Sequence, residues 1–230
     1  MSPFSSYLQE IVYGGTDGIV TTFAVVAGFN GAIGGITNIN LPILIVVLFG
    51  CANLFADGVS MALGNFLSVR ANKDVYKVEK AKELHEIVNS PDMEKAETKH
   101  ILISKGFSEK QALTLTAIYS KNKNYWLEFM MKDELKLPNP EDENPYLTGL
   151  ATFLAFVSFG SIPLGAYLFP NLLGNRFLLS ILSTFGALLI LGLLRFKVTK
   201  EHPLRSIGEV VLLGSTSSLV AYFIGTLFRS

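Results

Sequence analysis

The residues with the most chemistry in them lie in one stretch, ELHEIVNSPDMEKAE, running from Glu83 to Glu97. It carries two carboxylate pairs, Glu83/Glu86 and Glu94/Glu97, each spaced i,i+3 and separated by Asn89-Ser90-Pro91. Residues three apart share a helix face. Ser90 as N-cap with Pro91 in the first helical position predicts one helix ending near Val88 and another starting at Pro91. Folded back as an antiparallel hairpin, the two helices bring both pairs face to face. Four such charges repel unless a cation sits among them, and oxygen-rich clusters suit divalent metals. Met130 and Glu134, spaced i,i+4 in YWLEFMMKDELK, add a thioether and a fifth carboxylate from another helix. The competing reading is a solvated charged face neutralised by Lys80, Lys82, Lys95 and Lys99, and spacing alone leaves both open.

The elements that must position these groups follow from how charge is distributed. The chain has 230 residues, no formal net charge and 50% hydrophobic residues, with a mean hydropathy of +0.41. Thirteen of its 19 Lys/Arg and fourteen of its 19 Asp/Glu fall between Arg70 and Glu143. That pattern predicts an all-α, five-span helical membrane protein with one polar, helical metal-binding insert between spans two and three. The boundaries are 1–69 for spans one and two, 70–146 for the insert and 147–230 for spans three to five. Neutral balance argues against nucleic-acid binding, which needs a basic face. The single Cys51 rules out an intramolecular disulfide. Met1 to Gln9 lacks the basic start of a cleavable signal, so the first apolar run is read as staying in the membrane.

Span one covers about Ile11 to Ile33 and contains Asp17 among many small residues. An intramembrane carboxylate is expensive and should face a partner helix or a wet pathway; the plain alternative is a helix that begins after Asp17. Glu10 precedes Asp17 by seven residues and Thr21 follows by four, placing all three on one side of a helix. The uncharged loop Gly34 to Asn40 leads to span two, about Leu41 to Leu67. There Asn53, Asp57, Met61 and Asn65 recur every four residues as a polar and thioether stripe, and Gly58, Ala62 and Gly64 let another helix come close. A Met one turn from an intramembrane Asp offers a soft and a hard donor to a borderline ion such as Fe(II).

From Arg70 the second helix should continue into the insert, with Val75, Val78, Leu84 and Val88 available for packing. Gly106 reads as a helix stop and Ser108 as the N-cap of a helix over Glu109 to Tyr119. A last insert helix is expected over Tyr125 to Lys136, followed by a linker, Pro138 to Pro145. Three further spans are expected at about Leu147 to Leu168, Phe177 to Leu194 and Val210 to Phe228, the first of them interrupted by Pro163. Arg195, Lys197, Lys200 and Arg205 cluster between spans four and five. The positive-inside rule then puts the N-terminus and the insert in the cytosol and the C-terminus outside.

DGIVTTFAVVAGFNGA in span one, ADGVSMALGNFLSVRANKD in span two, TFLAFVSFGSIPLGAYLF in span three and GEVVLLGSTSSLVAYFIG in span five resemble the vacuolar iron transporter family. The spacing of Glu83, Glu86, Glu94, Glu97, Met130 and Glu134 is similar to that family's cytosolic metal-binding domain. The resemblance covers Glu10 to Gly225. It implies a homodimeric transporter in a lipid bilayer that exports Fe(II), and often Mn(II), from the cytosol in exchange for protons. By the same resemblance the pathway is lined by the first two spans at the dimer interface. Asp17 and Met61 become its metal and proton groups, Glu10 lies near the cytosolic mouth, and the six insert residues gather ions. No prosthetic group is implied; Fe(II) and Mn(II) are cargo, with Zn(II) a further ion the site would take in vitro. The chain departs from the family at Asn53 and Asn65, where members carry acidic residues, and Asp57, one turn from Met61, compensates. The membrane would be the plasma membrane in a prokaryote and a vacuolar or other organellar one in a eukaryote.

Two other classes compete. A membrane-anchored metal sensor or storage module would bind at the insert without flux, but would not need an ionisable, Met-lined face in its spans. An intramembrane protease using Asp17 and Asp57 as a dyad would leave the insert carboxylates, Met61 and Met130 without a role. The expected class is a transporter, not an enzyme.

Overall fold

A computed structural model describes residues 7–33, 40–169, 175–199 and 202–228. Among them every regular element is a helix: α1 (Leu8–Ile33), α2 (Asn40–Asn89), α3 (Pro91–Ser104), α4 (Glu109–Tyr119), α5 (Lys123–Asp133), α6 (Pro145–Leu168), α7 (Arg176–Thr199) and α8 (Pro203–Leu227). Most of the expected Gly34 to Asn40 loop, and Lys200, lie outside the described residues. The chain divides into two compact units, one formed by Met1–Phe66 with Pro145–Ser230 and the other by Leu67–Asn144.

Among the described residues, five helices are long and apolar enough to cross a membrane: α1, α2, α6, α7 and α8. At 1.5 Å per residue the 50 residues of α2 extend about 75 Å, more than twice a bilayer core of roughly 30 Å. Only its apolar part, up to about Leu67, is therefore spanning helix. In the membrane unit α1 is central, packing against α6, α7 and α8. Small residues permit this. A Cβ added at Gly18 would collide with the backbone of Phe156, and one added at Gly160 would lie 2.8 Å from the Gly18 carbonyl oxygen. Helices in lipid gain little from the hydrophobic effect, so such close backbone contact supplies much of their cohesion. Of the small residues expected to admit a neighbour in span two, Gly58 meets Phe153, Phe156 and Val157 and Ala62 meets Gly149, whereas a Cβ at Gly64 would meet nothing within 4 Å.

One span boundary and one expected interruption differ from the sequence-based reading. Span five begins at Pro203, seven residues before Val210, because Pro203 occupies the first turn behind His202 as N-cap residue. The charge in its first turns is matched by Glu209, which accepts from Arg195 at 2.7 Å and Arg205 at 3.0 Å. Span three runs unbroken through Pro163, whose carbonyl accepts the Ser180 hydroxyl of α7 at 2.7 Å.

In the insert, α2 ends at Asn89 and α3 starts at Pro91, as the turn signal requires. Ser90 does not cap through its side chain; instead its carbonyl accepts from Met93 and Glu94. The α3–α4 turn follows its residues closely. Gly106 takes a positive φ of 96°, and Ser108 forms a reciprocal capping box with Gln111 at the start of α4. The last insert helix is shifted to Lys123–Asp133, because the Asn122 side chain accepts from Tyr125 N at 3.2 Å and starts it two residues early. It stops where Leu135 and Leu137 fold back to donate to the carbonyls of Met130 and Met131.

The packing face of α2 in the insert also differs from expectation. Val75, Val78, Leu84 and Val88 are exposed, and Tyr76, Glu83 and Ile87 are buried instead. Tyr76 and Ile87 join Trp126, Leu127, Met130 and Met131 in the insert core. Position 83 is one turn before Ile87 and two turns after Tyr76, so a helix that buries the bulkier aromatic carries Glu83 inward with it.

Candidate metal centre

Glu83 lies on α2, Glu94 on α3, and Glu134 just after the last residue of α5. One carboxylate oxygen from each lies within 4.8 Å of the other two. Glu83 and Glu94 are almost fully buried, at 3% and 4% exposure, while Glu134 is partly exposed. Glu83 Oε1, Glu94 Oε2 and Glu134 Oε2 are buried without a hydrogen-bond partner. Carboxylates rarely go inside unpaired, since burial of an uncompensated charge is costly.

The cations that could have neutralised the cluster are engaged elsewhere. Lys82 pairs with Glu79, Lys95 with Asp92 and Lys99 with Glu109, while Lys80 sits over the Tyr76 ring. Among the described residues, no ion pair reaches Glu83, Glu94 or Glu134. The cluster answers with its protons. Burial, then the charges of Glu134 and Glu94, pushes the Glu83 carboxyl up to about 8. Burial and the charges of Glu97 and Glu94 push Glu134 up to about 7. Glu94 is also raised, chiefly by burial and against the lowering effect of a hydrogen bond shared with Glu83. That bond exists only while one of the two is protonated; once both ionise, neither oxygen has a donor.

The donor set fits a divalent cation. An ion about 2.1 Å from each oxygen requires ligand pairs no more than about 4.2 Å apart, so a small inward shift closes the site. Three carboxylates and open positions for water make an all-oxygen donor set, the kind that hard divalent cations such as Mn(II) take.

Of the six insert residues singled out by spacing, the structure brings three together in this way. Glu86 and Glu97 are exposed; the charges of both act on Glu134, and Glu97 also shares a hydrogen bond with it. The i,i+3 spacing puts the two members of each pair about 60° apart around the helix, and in each pair one is buried and the other exposed. On α3 that choice is visible in the spacing, since Glu94, Thr98 and Leu102 form the buried stripe. Met130 is fully buried one turn before Glu134, its sulfur 3.3 Å from the Thr98 hydroxyl. The spacing of acidic residues did not single out Thr98 as a partner of the cluster, nor Trp126, which donates to it at 2.8 Å.

The membrane unit holds the remaining candidates. Asp17 is half-buried within α1, so the helix does not begin after it. Its carbonyl accepts the Thr21 hydroxyl at 2.8 Å, and Asp57 is close enough for its charge to act on the Asp17 carboxylate. Asn53, Asp57, Met61 and Asn65 are all half-buried on α2. Asn65 donates to the Thr152 hydroxyl at 2.7 Å. Glu10 has one oxygen, Oε2, buried without a partner.

Fold and site together define a multi-pass helical membrane protein that carries a cluster of three converging carboxylates in a separate compact unit. The model of the VIT family matches residues 8–226, and the chain belongs to that family. It is 34% identical to the vacuolar iron transporter of Plasmodium berghei (strain Anka), an alignment covering 97% of this chain and 83% of the relative. It is 32% identical to vacuolar iron transporter 1 of Tulipa gesneriana, over 94% of this chain and 84% of the relative. Vacuolar iron transporter 1 of Arabidopsis thaliana is likewise 32% identical, over 94% and 83%. The family is one of transporters, and the chain is not an enzyme.

Proposed function

We propose that this chain moves divalent iron, and Mn(II) with it, across its membrane, and that the Glu83–Glu94–Glu134 cluster collects the ion first. The observation that carries the reading is the trio of buried acidic oxygens that have no donor. Relatives named as vacuolar iron transporters support iron as the cargo. The insert and the N-terminus face the cytosol in this reading, the ion leaves the cytosol, and the membrane is that of a vacuole or similar organelle. Two copies assemble with α1 and α2 along the shared pathway.

The chemistry of each step follows from the residues. In the insert an arriving cation displaces protons held on Glu83 and Glu134, so capture is favoured at neutral pH and opposed by acid. Glu10 stands at the start of α1, and Asp17, Asp57 and Met61 offer two hard donors and one soft donor within the spans. A carboxylate in a low-dielectric span holds either a proton or a cation more readily than a bare charge. Protonation from an acidic far side therefore releases the ion, and the same carboxylates return the proton to the cytosolic side. Exchange with protons is the direct consequence.

The test is Fe(II) and Mn(II) uptake into proteoliposomes with and without an acidic interior, for wild type and Asp17→Asn. Gradient-dependent uptake that the variant loses supports the reading. Metal binding without any flux in the wild type would instead favour a storage or sensing module.

A further inference from the structure

The chain has one tryptophan, and the structure buries it beside the metal centre. Trp126 Nε1 donates to the Thr98 hydroxyl oxygen at 2.8 Å. Thr98 is itself fully buried, and its hydroxyl lies 2.8 Å from the Glu94 carbonyl oxygen and 3.3 Å from Met130 Sδ. A hydroxyl has one proton and two lone pairs, so with Trp126 as donor it can serve the Glu94 carbonyl or the sulfur in turn.

These contacts form a second rung beneath the carboxylates. Glu94 and Thr98 are one turn apart on α3, and Met130 lies one turn before Glu134. Carboxylate faces carboxylate on one rung, and hydroxyl faces thioether on the next. Methionine has three rotatable bonds and settles wherever space allows, so a thioether is a poor ligand unless something holds it. A buried hydroxyl that only needed its own bond has one in the Glu94 carbonyl. Met130 Sδ offers the same proton a second acceptor, which local satisfaction does not require.

We propose that Thr98 is a positioning residue: held by Trp126, its hydroxyl fixes the Met130 sulfur beside the carboxylate cluster and gives the insert its preference for softer ions over hard ones. The proposal rests on the metal reading of the cluster and adds selectivity to it. Sulfur favours soft and borderline ions, whereas carboxylates alone favour hard ones.

The experiment is competitive binding of Cd(II) and Mn(II) to the full chain in detergent, read as the ratio of the two affinities. Thr98→Val and Met130→Leu should each lower the Cd(II)/Mn(II) ratio about tenfold, while Thr98→Ser stays within about twofold of wild type. Because Thr98 acts through Met130, Thr98→Val should add nothing in the Met130→Leu background. An unchanged ratio in Thr98→Val, or equal loss of both ions, would overturn the proposal and leave Thr98 a purely structural partner of Trp126. An unchanged ratio in Met130→Leu would overturn it as well. If Thr98→Val does not fold, Trp126→Phe removes the group that holds the hydroxyl, and an unchanged ratio there refutes the proposal. Wild type binding neither ion is a different failure, that of the metal centre itself.

Discussion

In the insert, carboxylates from three parts of the chain converge to within 4.8 Å of one another, two of them nearly fully buried. In the membrane unit the acidic groups are spread along helices: Glu10 and Asp17 on α1 and Asp57 on α2, none belonging to such a cluster among the described residues. The contrast separates two tasks. In the proposed reading the closed set of oxygens holds the ion at equilibrium, whereas the single carboxylates, flanked by a thioether and amides, bind weakly enough to let it pass. A transporter needs both, since an ion held tightly along its whole path would not leave.

The comparison breaks most sharply at Asp17. Asp17→Asn should abolish flux in proteoliposomes while leaving metal binding at the insert unchanged, because the two sites share no residues. Loss of binding in that variant would show that the regions do not divide the work. Next in size is the pH response of the metal-free protein. Glu83 and Glu134 are raised from 4.5 to about 8 and about 7, so the folded chain binds protons more tightly than the unfolded one. The stability this contributes is complete below about pH 4.5 and drains away as pH rises toward 8. Thermal unfolding of the metal-free chain should accordingly occur at lower temperature at pH 8 than at pH 6, and Mn(II) should reverse the fall. A pH-indicator dye should record about one proton released per ion bound at pH 7, and less above pH 8.

Smaller effects sharpen the contrast between the members of each insert pair. Glu86→Ala and Glu97→Ala remove exposed charges and should weaken ion binding only roughly two- to fivefold, an effect that added salt diminishes. Losses as large as those from the buried carboxylates would mean that all four side chains ligate. Smallest is Asn65→Ala, which deletes the bond to Thr152 and should cost about 1 kcal/mol of stability with little change in flux.

How much of this could be read beforehand depended on what kind of signal each feature left. Helix boundaries marked by local chemistry were legible: Pro91, Gly106 and the Ser108 N-cap stand where their residues placed them. The five spans were legible from apolar length. Span five and the last insert helix began earlier than expected, because Pro203 and Asn122 start helices ahead of their first apolar residues. In the insert the acidic stretch stood out, with Glu83, Glu94 and Glu134 among the residues singled out, but not which of them converge. Which of Glu94 and Glu97 turns inward is decided by the stripe shared with Thr98 and Leu102. That Glu83 goes inward is decided by Tyr76 and Ile87, which turn their own face inward and leave Val75, Val78, Leu84 and Val88 exposed. The Trp126–Thr98–Met130 chain joins positions 28 and 32 residues apart, a distance over which spacing carries no information.

The most direct test of the account is a Mn(II) binding isotherm of the full chain at pH 7.5, comparing wild type with Glu94→Gln and Glu97→Gln. Gln preserves shape and removes charge. The account predicts that Glu94→Gln loses about 100-fold or more in affinity, or about 2.7 kcal/mol, while Glu97→Gln stays within roughly fivefold of wild type. Equal affinities for wild type and Glu94→Gln would contradict it, because the three buried oxygens would then not be where the ion is held.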